Sequence, residues 1–474
     1  MEPLHEYHSI SRVLDKFHVA SGNLSRFAEI GGRANPELAL SAIVQVSRNG
    51  AFAGMHYGML TLELHGHLNP MTTLGAELLR RGHRVTLLGS SRVQPFAARA
   101  GLAWAPLADL AQINAGWDKL GELSGLAAMK HTGKMVQWSS MATRDELPEI
   151  IEQRQIEALV VDQVAPAGAV VAEEQQIPYV VVCNALAGHF HGSVPPPPMN
   201  WPYRTGLLAR LKNGLANRLV CTLFDRLAGA SGPGAIRPLM LTELDQQWGR
   251  AMIAQQPACF DFPNHPRPAH FHYTAPWHTT GRDSQVDFPW DRLDDRPLVY
   301  ASLGTLQNKL RHVYAAIAES ARGMDVQMVL ALGSANAKLD VPIPDNVIVV
   351  PYAPQLQLLD KALAVITHAG LNTTLETLAR GLPMLCLPIT NDQPGVARRV
   401  EHLGAGLVLG LGKASAKRIR QGLMTILKDP KFRHRAGELR DEMSCLNGPQ
   451  MAADIIERAI GNGIELEETV ALAE

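Results

Sequence analysis

Between residues 297 and 389 short apolar runs recur at regular intervals: PLVYASLGT, DVQMVLALG, DNVIVVPYA, LAVITHAG and GLPMLCLPI. Helix-like stretches separate them. Strands that alternate with helices in this way build a parallel sheet with helices on its faces. An earlier block repeats the logic. MHYGMLTLEL, from Met55, reads as a strand, and HGHLNP breaks it. MTTLGAELLRRG then places Leu74 and Leu78 four apart on a helix. Asn69 reads as its N-cap, Pro70 as its first residue and Gly82 as its stop. HRVTLLG is the next strand, which completes a βαβ unit. Residues 156–182 repeat the sequence of strand, turn, helix and strand. Two such blocks predict an α/β chain of two doubly wound, Rossmann-like domains, with ligands held beyond the C-terminal strand ends and in the cleft between the domains.

The 474 residues are too many for one core. We divide them into an N-terminal extension (1–54), an N-terminal domain (55–263), a Pro- and Asp-rich linker (264–296), a C-terminal domain (297–447) and a closing helix and tail (448–474). The extension is weakly patterned and reads either as an appended arm or as a start placed upstream of the true one. The closing stretch GPQMAADIIERAIGNG has no partner that sequence can name. Residues 207–255 read as helical, with recurrent leucines.

Lys and Arg (44) nearly balance Asp and Glu (45), so no basic excess points to nucleic acid. The five cysteines are scattered without a C-x-x-C pair, which suits a reducing cytoplasm. No run is long enough to span a membrane, and MEPLHEYHSISRVLDKF carries charge where a signal peptide is apolar. A cytoplasmic location is the expectation.

THAGLNTTLE, residues 367–376, joins one apolar run to a helix. Helix N-terminal amides bind phosphate. Gly370 would let a ligand approach the backbone, and His368 and Asn372 could add side-chain donors. Glu376, four residues on from Asn372, could accept ribose hydroxyls. Taken alone, the stretch reads equally as an αβ corner with an Asn or Thr cap. Its neighbours add weight. SLGT (302–305) ends a second strand with small donor residues. DQPGVARR (392–399) ends a third with a carboxylate beside an amide, a pair suited to sugar hydroxyls. YAPQ (352–355) ends a fourth with an aromatic face and an amide, suited to a flat base. Together they form the parts of a nucleotide-sugar site.

The run from YAPQLQLL through THAGLNTTLETLARGLPMLCLPITNDQPGVARRV resembles the donor-binding signature of the UDP-glycosyltransferase superfamily, whose fold is GT-B. The resemblance implies that Tyr352 and Gln355 hold the uracil. It implies that Ser302, Thr305, His368, Asn372 and Thr373 hold the diphosphate, Glu376 the ribose, and Asp392 and Gln393 the sugar. Tyr352 and Leu371 stand where plant members have Trp, which leaves UDP and dTDP both open. GHLNP resembles the loop after the first strand of the superfamily, which makes His67 the general base and Asp162, in LVVDQVAP, its partner. An imidazole is a suitable base at cytoplasmic pH. The implied chemistry is a single inverting displacement, with no metal and no cofactor. His65 and His67 form an H-x-H pair, but no third metal ligand accompanies them.

The segment from PYVVVCNALAGHF through the loop SVPPPPMNWPYRTG resembles bacterial carotenoid glycosyltransferases that glucosylate zeaxanthin. That likeness implies a UDP-hexose, glucose, as donor and an apolar hydroxylated acceptor, with Trp201 and Tyr203 at the acceptor mouth. It also implies transient contact with the inner face of the membrane. A sterol, polyketide or other lipid alcohol fits the same sequence. A nucleotide-sugar epimerase of the same fold is the competing enzyme class; it would keep the donor site without needing His67 and Asp162.

Overall fold

The computed structural model describes residues 54–471 except 121, 124, 228–238, 243–246, 279–285, 306–309 and 335–336. The extension read from sequence lies, but for Gly54, outside the described residues. The described residues form one unit of two lobes, each with its own sheet.

The first sheet contains β1 (His56–Leu60), β2 (Arg84–Gly89), β3 (Ala103–Pro106), β4 (Ala158–Asp162), β5 (Tyr179–Cys183), β6 (Met252–Ala254) and β7 (Phe271–Tyr273). Their order is β3-β2-β1-β4-β5-β6-β7, parallel throughout. The second contains β8 (Leu298–Ser302), β9 (Gln327–Ala331), β10 (Val347–Val350), β11 (Ala362–Thr367), β12 (Met384–Cys386) and β13 (Gly406–Val408), ordered β10-β9-β8-β11-β12-β13 and also parallel. In both, the chain order reverses near the middle of the sheet, which opens a crevice at the strand C-termini. Strand β7 pairs with β6, so the first lobe reaches to Tyr273, inside the stretch read as linker.

The central strands are apolar on both faces because helices cover both. In the first lobe these are α1 (His65–Arg80), α2 (Gln94–Arg99), α3 (Ala111–Leu120), α4 (Gly125–Arg154), α5 (Ala167–Glu174) and α6 (Leu207–Leu227). In the second they are α7 (Arg311–Ser320), α8 (Gln355–Leu359), α9 (Leu371–Leu378), α10 (Gln393–His402), α11 (Ala416–Lys428) and α12 (Pro430–Ser444). The last helix, α13 (Gly448–Ala471), returns to the first lobe. There Ala452, Ala453, Ile456 and Ile460 join a core with Leu68, Met71, Leu74 and Leu78 of α1. Arg81 adds ion pairs to Asp454 and Glu457 at the rim. The partner that sequence could not name is therefore the opposite lobe.

Two expectations need correction. The leucine-rich stretch 207–255 is not one helix: α6 ends at Leu227 and β6 follows at Met252. Helix α1 begins at His65, not at Asn69, because Leu64 O already accepts the Leu68 amide at 2.9 Å. Pro70 consequently lies inside the helix. A proline there removes the amide that would bond the carbonyl four residues earlier, and that carbonyl belongs to Gly66.

Candidate active site

In the first lobe, one polar side chain stands at or just past the end of each of four neighbouring strands: Thr61 after β1, Asp162 on β4, Asn184 after β5 and Gln255 after β6. Asp162 is fully buried. Its Oδ2 accepts hydrogen bonds from Thr61 Oγ1 at 2.6 Å, Asn184 Nδ2 at 2.9 Å and His67 Nδ1 at 2.8 Å. His67 belongs to the first turn of α1 and lines the inter-lobe cavity. Asp162 fixes Nδ1 as the protonated nitrogen, which leaves Nε2 to the cavity. Burial alone would lower the His67 pKa, but the Asp162 charge and hydrogen bond outweigh it, and the pKa is raised above 6.5. Burial would likewise raise the Asp162 pKa; the His67 charge and the donors around its carboxylate hold it below 3.8.

The second lobe supplies the facing wall from the same kind of position. His368 follows β11. Thr367 Oγ1 accepts the Ala369 amide at 3.1 Å and pins the corner, with Ala369 at φ +64°. Such backbone is uncommon for a residue with a Cβ and tends to be retained at functional turns. The His368 ring is half-buried between two glycines. A Cβ on Gly304, itself at φ +77°, would come within 2.7 Å of Cε1, and one on Gly370 within 2.6 Å of Nε2. Gly370 therefore makes room for the imidazole as well as for any ligand. Burial pushes the His368 pKa down to about 4, with the Ser302 backbone opposing the shift, so the ring is neutral near pH 7. Its Nδ1 is buried without a hydrogen-bond partner. Helix α9 starts beside it, and the amides of its first turn have no carbonyl partner within the helix.

All of the donor-site residues named from sequence line this one cavity of 1180 Å³: Ser302, Thr305, Tyr352, Gln355, His368, Gly370, Asn372, Thr373, Glu376, Asp392 and Gln393. Several are tied in ways the sequence does not tell. Gln355 Nε2 donates to Glu376 Oε2 at 2.5 Å and its Oε1 accepts from Tyr300 at 3.1 Å, so the amide and the buried carboxylate are a linked pair. Gln393 Oε1 accepts the Ile389 and Thr390 amides at 2.9 and 3.0 Å and so braces its own loop. Asp392 Oδ2 accepts the Leu186 amide of the first lobe at 2.9 Å. Burial raises its pKa despite that bond and the nearby His67. Asn372 Nδ2 donates to Gly66 O at 2.7 Å, and its Oδ1 accepts from Gln255 Nε2 at 2.7 Å.

Trp201 and Tyr203 are not among the lining residues. Tyr203 stacks on Phe262 at 4.6 Å and donates to Pro263 O at 2.6 Å. Trp201 lies beneath the Lys212 ammonium, 3.7 Å from its ring centre. The apolar end of the cavity is formed instead by Phe96, Met129, Phe190, Pro197, Pro198 and Phe224, among others. Thr61, Asn184 and Gln255 were missed from sequence, although each, like Asp162, is a polar residue directly at the end of an apolar run. Among the described residues no group of three or more His, Cys, Asp or Glu is arranged to hold a metal ion. No helix among them is long and apolar enough to cross a membrane.

Comparison with known proteins decides the class. Residues 315–459 match the family model of the erythromycin biosynthesis protein CIII-like C-terminal domain. The chain is 27% identical to a zeaxanthin glucosyltransferase of Pantoea ananas over 86% of this chain and 96% of that one. It is 28% identical to one of Pseudescherichia vulneris over 85% and 98%. The glycosyltransferase of kitacinnamycin superposes with a TM-score of 0.62 at 22% identity, over 86% of this chain and 99% of that one. The chain is similar in sequence to glycosyltransferases of the UDP-glycosyltransferase superfamily. It is a glycosyltransferase with two GT-B lobes.

Proposed function

We propose that this glycosyltransferase transfers a hexose, glucose, from a UDP-sugar to a hydroxyl of a long apolar acceptor of the carotenoid class, zeaxanthin-like, with inversion at the anomeric carbon. The observation that carries the proposal is the His67–Asp162 pair, which sits across one cavity from the His368 corner and the α9 N-terminus. The acceptor O–H gives its proton to His67 Nε2 as its oxygen bonds to the anomeric carbon. The bond from that carbon to the diphosphate oxygen breaks, and the nucleotide diphosphate leaves with the electron pair. Asp162 holds the ring tautomer and stabilises the imidazolium that forms. The α9 amides, His368, Ser302, Thr305 and Thr373 meet the charge on the diphosphate, so the step as proposed draws on no metal.

In this reading Glu376 with Gln355 serves the ribose and base side, Tyr352 the base face, and Asp392 and Gln393 the sugar. The apolar end of the cavity suits a lipid-like acceptor, and the two zeaxanthin glucosyltransferases favour a carotenoid over a sterol or polyketide. The location expected is cytoplasmic, at the inner membrane face where such an acceptor is dissolved.

The test is a panel of UDP- and dTDP-sugars against carotenoid, sterol and phenolic acceptors, read by mass spectrometry. Acceptor-dependent UDP release with a glucosylated carotenoid is the expected result. A re-formed UDP-sugar with altered stereochemistry and no acceptor adduct would favour an epimerase. A preference for another acceptor class would overturn the carotenoid assignment while leaving the transfer intact.

A further inference from the structure

Helix α6 is turned inside out. Its inward face carries Asn213 and Asn217, both buried, with Val220 between turns of the same stripe. Asn217 Nδ2 donates to His191 O at 2.8 Å and to Val194 O at 3.2 Å, which ties the helix to the Pro-rich loop. Its outward face carries Leu207, Leu211, Leu215 and Leu219, spaced four apart, with Leu208 beside them. These five side chains are 62–83% exposed. Four-residue spacing puts them on one continuous stripe. Single exposed leucines are ordinary, but a contiguous stripe opposite a polar buried face marks a contact surface.

The surroundings of the stripe indicate what it contacts. Arg204, Arg210, Lys212, Arg218 and Arg226 are all exposed on or beside it, and Asp225 is the one acidic residue of that segment. Lys212 caps the Trp201 indole at the edge of the stripe. Apolar residues bounded by cations and an interfacial tryptophan suit a helix lying in the headgroup plane of an anionic bilayer, the long basic side chains reaching up to the phosphates. The opposite, inward side of the helix borders the cavity. Phe224 of α6 lines that cavity, and so do Pro197 and Pro198 of the loop that Asn217 anchors.

We infer that the Leu207–Leu219 face of α6 is a membrane-docking surface that seats the enzyme on anionic phospholipid with the apolar cavity end beside the bilayer. Delivery of a membrane-dissolved acceptor rests on the proposed function; binding to the bilayer does not.

The experiment is co-sedimentation of the full chain, without substrates, with vesicles of phosphatidylcholine alone or mixed with phosphatidylglycerol. The wild type binds the mixed vesicles, more weakly the zwitterionic ones, and loses part of its affinity in high salt. The exposed double variant Leu211→Glu/Leu215→Glu keeps its thermal unfolding temperature and loses at least about tenfold in vesicle affinity. Equal binding by the variant, or no binding by the wild type, overturns the inference. So does a dimer in sedimentation velocity that the double variant dissociates, because the occupant is then a second copy. An environment-sensitive label on Leu215→Cys separates the remaining occupant: its emission shifts to the blue on adding mixed vesicles. A label already blue-shifted without them shows that the protein covers the face itself, and overturns the proposal. Because no donor or acceptor is present, these outcomes are independent of whether the transfer chemistry is right.

Discussion

Asn372 donates its side-chain amide to the carbonyl of Gly66, 2.7 Å away on the opposite lobe. That carbonyl accepts the bond because Pro70, four residues on in α1, has no amide to fill it. A helix defect in one lobe thus creates the acceptor for a side chain of the other, one residue from His67.

Pro70→Ala separates stability from activity. The alanine amide would fill the Gly66 carbonyl from within the helix, and removing an interior proline relieves a penalty of about 3 kcal/mol. The unfolding temperature should rise. Asn372 then shares its acceptor, and full loss of a hydrogen bond worth about 1 kcal/mol would correspond to roughly a fivefold loss in turnover, the upper bound expected. A stabilised variant of unaltered turnover would show that this inter-lobe bond does not serve the reaction.

With His67 as the proposed base, the His67–Asp162 pair should set a pH limb. A base works only when unprotonated, and Asp162 raises the His67 pKa above 6.5. Turnover should therefore fall as pH drops through a value above 6.5. His67→Ala should lose about 10²–10⁴ in turnover with UDP affinity nearly unchanged. Asp162→Asn removes the charge that raises the pKa, so its smaller residual activity should extend to lower pH. A limb that stays put in Asp162→Asn would assign the titration to another group.

His368 is neutral in the free protein, its pKa pushed to about 4 by burial. A bound diphosphate favours the charged ring and raises that pKa, so binding takes up a proton where the raised pKa nears the solution pH. UDP should bind more tightly as pH falls from 8 to 6, and more steeply in the wild type than in His368→Gln; titration calorimetry in buffers of different ionisation enthalpy reads the uptake. His368→Ala should weaken UDP binding by about tenfold, the worth of one charge-assisted hydrogen bond. Unchanged affinity would remove His368 from the phosphate site.

The central strands of both sheets and the polar strand ends that line the cavity were legible because each rests on local pattern: an apolar run, then a glycine or polar residue at its end; β6 and β7 were not, being three-residue strands inside stretches read as helix and linker. His67 and Asp162 were legible through resemblance. What stayed hidden is non-local. Nothing in the local pattern of GPQMAADIIERAIGNG shows that α13 packs on α1, since a helix face does not name the face it meets. The leucines of α6 read only as a helical pattern because period alone cannot tell inward from outward; the two buried asparagines decide it. Pro70 read as a helix start because the carbonyl it orphans is satisfied by a residue some three hundred positions away. Trp201 and Tyr203 read as an acceptor mouth, but Lys212 and Phe262 hold them elsewhere.

Acid should loosen the junction between the lobes before it reaches the carboxylates. Asp261, in the first lobe, accepts two bonds from Arg399 of α10, at 2.8 and 3.0 Å, and one from Arg267 at 2.6 Å. Burial opposes its charge, but these cations hold its pKa well below 3.8. His265 bonds to the same carboxylate and stacks on His189 at 5.0 Å. Burial lowers the His265 pKa to about 4 and the His189 pKa to about 2, and both ring nitrogens of His189 lack partners. A histidine with a depressed folded pKa stays neutral in the fold while the unfolded chain protonates near 6.5. Its contribution is intact above that value and is lost as pH falls towards the folded pKa, by at most about 1.4 kcal/mol per pH unit per ring. The unfolding temperature should therefore decline from pH 6.5 to 4, ahead of any loss from Asp261. His189→Phe keeps the stacked ring without a titrating nitrogen and should flatten the decline, as a series of thermal melts would show. An equally steep decline in that variant would place the acid sensitivity elsewhere than in this histidine stack.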